Sequence, residues 1–219
     1  TPKQTRDIFN HKGWHNIVGF HTRNIPHRGH EYIQKKAIEL ANADALFVSP
    51  VTGIKKSGDF DSDVIIGSYE ILKNKGVYNP VEVLLGSFNT YSRYSGPREA
   101  VFTAICRKNY GCSHFIVGRD HTGVGNYYAD IDLKHMFSQI DIGIDILTFD
   151  PVFYSKQRKI VTSEEFNDKS ETSNISISAT KIRELLSKGK EIPDYLVREE
   201  VRDYLINYHI NSGKQVFIK

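Results

Sequence analysis

Short apolar segments with the length of buried strands alternate along this chain with segments of helical periodicity. The strand-like segments occupy residues 16–20, 45–49, 81–85, 114–117 and 144–149. Between them, residues 31–41 carry apolar side chains on one helical face, and residues 98–110 follow a Gly-Pro break. This alternation is typical of a mostly parallel sheet covered on both faces, with its ligand crevice beyond the carboxyl ends of the strands. We therefore predict an α/β fold with a Rossmann-like parallel sheet.

The length of 219 residues suits one large domain, or one domain with a small appendage. The composition changes after Pro151, because residues 155–174 are polar and charged. Two later segments have helical character, residues 178–188 and 197–208. We therefore predict a main domain over residues 1–150 and a small helical C-terminal subdomain over residues 151–219.

The charges are nearly balanced, with 29 basic and 26 acidic side chains and a formal net charge of +3. This balance does not indicate a nucleic-acid partner, although local basic clusters can still bind small anions. There is no apolar run of about eighteen residues and no signal-like start, so we expect no membrane partner and a cytoplasmic location.

Two cysteines, Cys106 and Cys112, have no neighbouring metal ligands in the sequence, which favours reduced thiols over a disulfide framework or a zinc site. The chain begins with Thr1-Pro2 instead of Met, which suggests a trimmed chain or the continuation of a longer protein. We therefore expect that an upstream domain can precede it.

Residues 20–30, Phe-His-Thr-Arg-Asn-Ile-Pro-His-Arg-Gly-His, lie between the first predicted strand and the first predicted helix. A helix amino terminus offers unpaired N–H donors and a positive dipole end, so a basic cluster there is suited to a polyphosphate. His27 and His30 can donate to oxygens that gain charge during attack at the α-phosphorus, and Gly29 lets a phosphate approach the backbone. A His-x-x-His pair alone is weak evidence, but its place at a strand-to-helix junction favours catalysis over a surface turn.

This segment resembles the Thr-Arg-Asn-x-Pro-His-Arg-Gly-His signature of the ATP sulfurylases, within the superfamily of His-x-Gly-His nucleotidyltransferases. Later blocks are also similar to family sequence, at residues 94–100, 107–112, 118–125 and 177–183. Several motifs in order over nearly the whole chain are far more specific than one motif. The resemblance implies that residues 1–150 form a nucleotidyltransferase catalytic domain.

Two of these blocks have chemistry suited to a nucleotide. The loop at residues 118–125 follows the fourth predicted strand, its glycines permit backbone contacts, and Arg119 can pair with phosphate. The block at residues 177–183 begins a helix that Ser178 or Thr180 can cap, and its cations oppose the helix dipole unless an anion binds there. On these residues alone, a glycine-rich turn and an ordinary capped helix remain alternatives.

The resemblance implies that sulfate attacks the α-phosphorus of ATP, which carries Mg²⁺, and that pyrophosphate leaves. It implies catalytic roles for Thr22, Arg23, Asn24, His27 and His30. It implies nucleotide contacts for His21, Gly118, Arg119, Asp120, His121, Phe149, Val152, Ser178, Thr180 and Arg183. The acceptor oxyanion is implied to contact His21, Arg23 and Thr122.

Two residues depart from the family pattern at the acceptor pocket. ATP sulfurylases normally carry Gln at the position of His21 and usually Ala at that of Thr122. A histidine ring can be charged and threonine adds a hydroxyl, so the acceptor can differ from sulfate. Some zinc-bearing members have cysteines after the position of Phe153-Tyr154, whereas residues 155–162 contain none, so we predict no structural zinc.

Three functions remain open. The first is sulfate adenylyltransferase, and the second is a nucleotidyltransferase that uses a phosphate or phosphonate acceptor or another nucleotide such as CTP. The third is a non-catalytic nucleotide-binding module. It is disfavoured because the residues suited to catalysis and phosphate binding are intact, namely His27, His30, Arg23 and Arg119. The family forms dimers or larger assemblies and full-length members carry an amino-terminal β-rich domain, so we also expect a homo-oligomer.

Overall fold

A computed structural model describes residues 1–118, 130–163 and 174–218. Its central sheet has five strands, β1 (Ile17–Thr22), β2 (Ala45–Pro50), β3 (Glu82–Leu85), β4 (His114–Val117) and β5 (Asp145–Thr148). Their order is β3-β2-β1-β4-β5, and every neighbouring pair is parallel. All five predicted strands are present, which confirms the predicted parallel sheet.

Helices cover this sheet. They are α1 (Pro2–Lys12), α2 (Arg28–Ala41), α3 (Ser62–Asn74), α4 (Pro97–Tyr110) and α5 (Asp130–Gln139). The helices predicted at residues 31–41 and 98–110 correspond to α2 and α4, whereas α1, α3 and α5 were not predicted. None of the described helices is long and apolar enough to cross a membrane.

The chain beyond residue 151 contains both sheet and helix. Three short strands, β6 (Val152–Ser155), β7 (Ile160–Ser163) and β8 (Asn174–Ser176), form an antiparallel sheet in the order β7-β6-β8. Two helices follow, α6 (Ala179–Ser187) and α7 (Glu199–Ser212). These helices were predicted and the small sheet was not. The division of the chain at residue 150 stays a prediction.

Within the described residues, the core consists of two apolar clusters, one on each face of the central sheet. Along β1, Val18 and Phe20 belong to the cluster that also includes residues of α2, α3, α6 and α7, whereas Ile17 belongs to the cluster beside α1 and α4. Because strand side chains alternate between faces, Gly19 and His21 share the α4 face with Ile17. Cys106 and Cys112 are both free thiols, as predicted.

Candidate active site

A turn at the carboxyl end of β1 brings the predicted catalytic residues to the start of α2. Thr22 is buried, and its Oγ1 accepts the backbone N–H of Asn24 at 3.0 Å. His27 caps α2, since its Nδ1 accepts the backbone N–H of His30 at 3.1 Å. Thr22 therefore holds the turn, and His27 and His30 lie where a helix amino terminus favours an anion.

The rings of His27 and His30 stack with their centroids 3.7 Å apart and their planes at 22°. Burial lowers the pKa of His27 from 6.5 to about 4. Burial, together with the neighbouring His27, also lowers the pKa of His30 well below 6.5. Both rings are therefore neutral near neutral pH. Because Nδ1 of His27 accepts a hydrogen bond, its proton lies on Nε2, which can donate to a ligand oxygen.

The surroundings of the histidine pair are closely packed. Phe20 meets the His30 ring edge to face at 5.1 Å between centroids, and Tyr69 Oη lies 3.5 Å from His30 Nδ1. A Cβ on Gly29 would lie 3.1 Å from Nδ1 of His27. The His27 ring fills the space beside Gly29 in this structure. The glycine therefore makes room for this ring, in addition to the predicted close approach of a phosphate.

The start of α6 places a cation beside the same turn. Ser178 caps the helix by accepting the backbone N–H of Lys181 at 3.3 Å, and Thr180 is exposed. Lys181 reaches the exposed Glu184, whereas Arg183 Nη2 donates to Oδ1 of Asn24 at 3.0 Å. Of the two cations in this block, Arg183 is the one that meets the β1–α2 turn.

Arg183 retains donor capacity within this contact. Burial lowers the pKa of its guanidinium. Its Nε is buried and has no hydrogen-bond partner within the part of the chain that the structure describes. A buried donor without a partner is costly, and an anion that accepts from it removes that cost. The Asn24–Arg183 contact is therefore suited to hold an anionic group.

Arg23 is positioned by a residue that the sequence did not single out. Its Nη1 donates to Tyr94 Oη at 2.6 Å. Tyr94 has a positive φ of 56°, and the buried Glu99 carboxylate accepts the backbone N–H groups on both sides of it, from Arg93 and Ser95. A strained residue held in this way indicates a constrained loop, and this loop holds Arg23.

A cavity of about 250 Å³ opens beside Arg23. Lys55, Lys56 and the buried Asp59 also line it, and Lys56 Nζ lies 3.4 Å from the centre of the Tyr94 ring. Burial lowers the pKa of Lys55 from 10.5 to about 8. Its Nζ is buried without a hydrogen-bond partner among the described residues. The cavity is thus basic and suited to an anion.

His21, assigned to the acceptor pocket, contacts a buried cation. Nη2 of Arg107 lies 2.8 Å from Nδ1 of His21. Arg107 is 0% exposed, and burial lowers the pKa of its guanidinium to about 10. The sequence did not assign Arg107 to the site, although it lies in the block at residues 107–112 that is similar to family sequence. Tyr94 likewise lies in the block at residues 94–100, so these blocks were the available signal.

The remaining predicted residues are less fully described. Gly118 directly follows β4, Phe149 directly follows β5, and Val152 begins β6; Phe149 and Val152 are both partly buried. The predicted ligand contacts Arg119, Asp120, His121 and Thr122 lie outside the described residues. Across residues 1–118, 130–163 and 174–218, no three His, Cys, Asp or Glu side chains are close enough together to hold a metal ion.

A sequence model of the ATP-sulfurylase family matches residues 1–208. The chain belongs to the ATP-sulfurylase family. This ATP-sulfurylase chain is 44% identical over 209 residues to the sulfate adenylyltransferase of Halothermothrix orenii. The aligned residues cover 94% of this chain and 54% of that relative. It is also 44% identical to the sulfate adenylyltransferase of Ignicoccus hospitalis over 208 residues, with the same shares covered. The chain thus spans about half the length of the curated relatives it matches.

The fold of this ATP-sulfurylase chain is similar to solved structures of low sequence identity. The hexameric APS kinase from Thiobacillus denitrificans matches with a TM-score of 0.72 and 20% identity, over 97% of this chain and 39% of that chain. The Plasmodium falciparum nicotinic acid mononucleotide adenylyltransferase complexed with APC matches with a TM-score of 0.52 and 13% identity, over 89% of this chain and 96% of that chain. Both likenesses concern the fold alone, and they agree with the predicted α/β class.

Proposed function

We propose that this chain carries the catalytic site of a sulfate adenylyltransferase, which converts ATP and sulfate to adenosine 5′-phosphosulfate and pyrophosphate. One observation carries the proposal: Arg183 of α6 donates to Asn24 at 3.0 Å, in the turn that ends at the capping His27. This contact joins residues 159 positions apart and brings a guanidinium next to an amide at the carboxyl edge of the sheet, which supports an anion site there. The named function of the relatives supports the choice of reaction.

The acceptor side of the reaction needs alignment more than proton transfer. Sulfate is already ionised, so no general base is required. A sulfate oxygen forms a bond to the α-phosphorus, the bond from that phosphorus to the bridging oxygen breaks, and pyrophosphate leaves with the electron pair. Arg23, held by Tyr94, binds the attacking oxyanion through its planar donor fork, beside His21 and Thr122.

The nucleotide side stabilises the charge that moves to the phosphate oxygens. His27 and His30 donate as neutral imidazoles to the α-phosphoryl oxygens. Arg183 and the start of α6, capped by Ser178 and followed by Thr180, neutralise the β and γ phosphates and the departing pyrophosphate. Thr22 and Asn24 keep the turn in position.

The adenosine part occupies the end of β4 and β5 in this proposal. Its contacts are Gly118, Arg119, Asp120, His121, Phe149 and Val152. Mg²⁺ enters bound to ATP, as part of the substrate, and is held mainly by phosphate oxygens and water. The protein also forms a homo-oligomer, which analytical ultracentrifugation tests.

A second candidate keeps the nucleotidyl transfer and changes the acceptor. The cavity beside Arg23 is lined by Lys55 and Lys56 as well, and His21 and Thr122 differ from the residues usual in the family. These features favour an acceptor anion larger than sulfate, such as a phosphonate compound.

Pyrophosphate release, measured with each nucleoside triphosphate against sulfate, molybdate, phosphate and simple phosphonates, separates the candidates. Release with ATP and sulfate supports the first proposal, and release only with another pair supports the second. If ATP binds and no pair releases pyrophosphate, the chain is a non-catalytic nucleotide-binding module.

His30→Ala tests the catalytic assignment. We expect turnover to fall by about two to three orders of magnitude while ATP still binds, as for the loss of one donor to the transition state. His11→Ala, which changes an exposed histidine of α1, is the matched control and should keep full turnover. Near-normal turnover of the His30→Ala variant would remove His30 from the mechanism.

A further inference from the structure

The segment that follows α7 pairs with the loop that leads into α3. Helix α7 packs along α3, so residues 213–218 arrive beside residues 55–61. Among the described residues, three backbone N–H groups donate between the two segments at 2.9 Å each, from Asp61 to Val216, from Ile218 to Asp59 and from Gly58 to Ile218. The two segments therefore form a short antiparallel ribbon, in which Phe60 lies opposite Phe217.

The side chains of this ribbon meet through two aromatic rings. Phe60 is fully buried, and the ring of the partly buried Phe217 lies 5.0 Å from it between centroids, with the planes at 40°. The ion pair of Lys214 and Asp63 is exposed and adds little, because solvent screens both charges. Phe60 belongs to the apolar cluster of the core, and Phe217 packs against that cluster. Phe217 therefore attaches the segment after α7 to the core.

The loop of residues 55–61 is folded so that its charged side chains face one cavity. The buried Asp59 carboxylate accepts the backbone N–H of Lys56 at 3.3 Å, and Gly58 turns the chain with a φ of 83°. Lys55, Lys56 and Asp59 line the cavity of about 250 Å³ beside Arg23. Because the ribbon is bonded to the backbone of Gly58 and Asp59, it holds the loop at the turn that directs these side chains.

The charges of the cavity oppose this placement of the loop. Among its described lining residues, two lysines and Arg23 meet one carboxylate, that of Asp59. Nζ of Lys55 is buried and has no hydrogen-bond partner among the described residues. Repulsion between like charges and the cost of an unpartnered ammonium group both favour movement of the loop towards water. Contacts outside the cavity are therefore needed to hold the loop, and the ribbon supplies such contacts.

We propose that the ribbon is part of the anion site, that it keeps Lys55 and Lys56 at the cavity, and that Phe217 is a positioning residue that raises the affinity of the cavity for an anion. The family model matches residues 1–208, so residues 213–218 lie outside that match. That the anion is the acceptor rests on the proposed function. We expect ATP binding to depend little on the ribbon, because the nucleotide side uses the β1–α2 turn and α6.

Hydrogen exchange of the full chain, followed by nuclear magnetic resonance, tests whether Phe217 holds the ribbon. In Phe217→Ala we expect the amides of Gly58 and Asp61 to exchange at least about tenfold faster than in the parent, while the buried strand β2 keeps its protection. Phe217→Leu keeps an apolar contact and should restore most of the protection. Gln215→Ala, which changes an exposed neighbour, is the matched control and should leave these rates unchanged.

Two results of this experiment overturn the proposal. The first is unchanged exchange of the Gly58 and Asp61 amides in Phe217→Ala. The second is equally faster exchange throughout β2, since Phe217 would then stabilise the whole fold and not the loop in particular.

Calorimetry with sulfate, and separately with inorganic phosphate, tests the effect on the cavity. We expect Phe217→Ala to raise the Kd of the anion about tenfold, with little change in the Kd of ATP. Ile218→Pro removes the N–H that donates to Asp59 and leaves the Phe217 ring in place, so it should weaken anion binding in the same way. A parent protein that binds neither anion overturns the proposal, as does a folded Phe217→Ala variant with the affinity of the parent.

A double-mutant cycle shows whether Phe217 acts through the loop. Lys55→Met removes the buried ammonium group, so Phe217→Ala should weaken sulfate binding much less in that background than in the parent. Equal effects in both backgrounds refute a role through the loop. If sulfate binding depends on Phe217 and no acceptor is adenylylated, the proposed reaction is wrong while the positioning role stands. If sulfate is adenylylated and Phe217→Ala binds it as the parent does, the positioning role is wrong and the reaction stands.

Discussion

Acid destabilises this protein through His27, and the size of the effect follows from its burial. His27 is 7% exposed, and burial lowers its pKa from 6.5 to about 4 in the folded state. Between these values the unfolded state binds more protons than the folded state, so acidification favours unfolding. The stabilisation is fully present above the unfolded pKa of 6.5 and is lost as the pH falls towards about 4.

The magnitude follows from linkage. Lowering the pH from about 7 to about 5 charges nearly every unfolded histidine, while the folded His27 stays mostly neutral. With pKa values of 6.5 and about 4, this costs about 2 kcal/mol of the free energy of unfolding. His30, whose pKa is also lowered, adds to the loss in the same direction.

His27→Asn isolates the contribution of His27. Asparagine is a good N-cap and offers an oxygen in place of Nδ1, so the cap persists without the titrating group. Urea denaturation at the two pH values should show the variant gaining about 2 kcal/mol relative to the parent on acidification. His11→Asn, on exposed α1 surface, should leave the pH dependence of the parent intact. A difference between parent and His27→Asn that does not change with pH would refute the burial argument.

Three further substitutions test the site. Arg183→Met removes the cation beside Asn24, and we expect the KM for pyrophosphate in the reverse reaction to rise about tenfold; an unchanged KM would separate Arg183 from the pyrophosphate. Tyr94→Phe removes the acceptor of the 2.6 Å bond from Arg23, and the KM for the acceptor should rise about tenfold with little change for ATP; equal changes in both would contradict this role. Because burial lowers the pKa of Lys55 to about 8, sulfate binding measured by calorimetry should weaken as the pH rises through that value, and Lys55→Met should lack this step.

The central strands could be predicted because a parallel sheet covered on both faces makes each strand a nearly continuous apolar run. Every residue of β2 is buried, for example. By contrast, α1 has eleven residues of which only Thr5 and Phe9 are buried, and its ends depend on a capping box at Thr1 and a left-handed Gly13. The three strands of the small antiparallel sheet have three or four residues each in polar surroundings, too few for a clear alternation.

The position of the histidine pair could be predicted because it depends on local structure, a cap at a strand-to-helix junction. The resemblance implied a contact for Arg183 and none for Lys181, whereas local structure alone does not choose between the two. Both are cations at the start of one helix, and which of them faces the β1–α2 turn depends on how α6 packs. The role of Tyr94 was not predicted for a related reason, since its contact with Arg23 joins residues that are 71 positions apart in the sequence.

The surroundings of His21 are the property that the sequence left most open, and the reason is physical. A neighbouring carboxylate favours the charged form of a histidine ring and a neighbouring guanidinium disfavours it, so the sequence position of a histidine does not determine its charge. Arg107, whose Nη2 lies 2.8 Å from Nδ1 of His21, is 86 positions away in the sequence, so no local pattern indicates the contact.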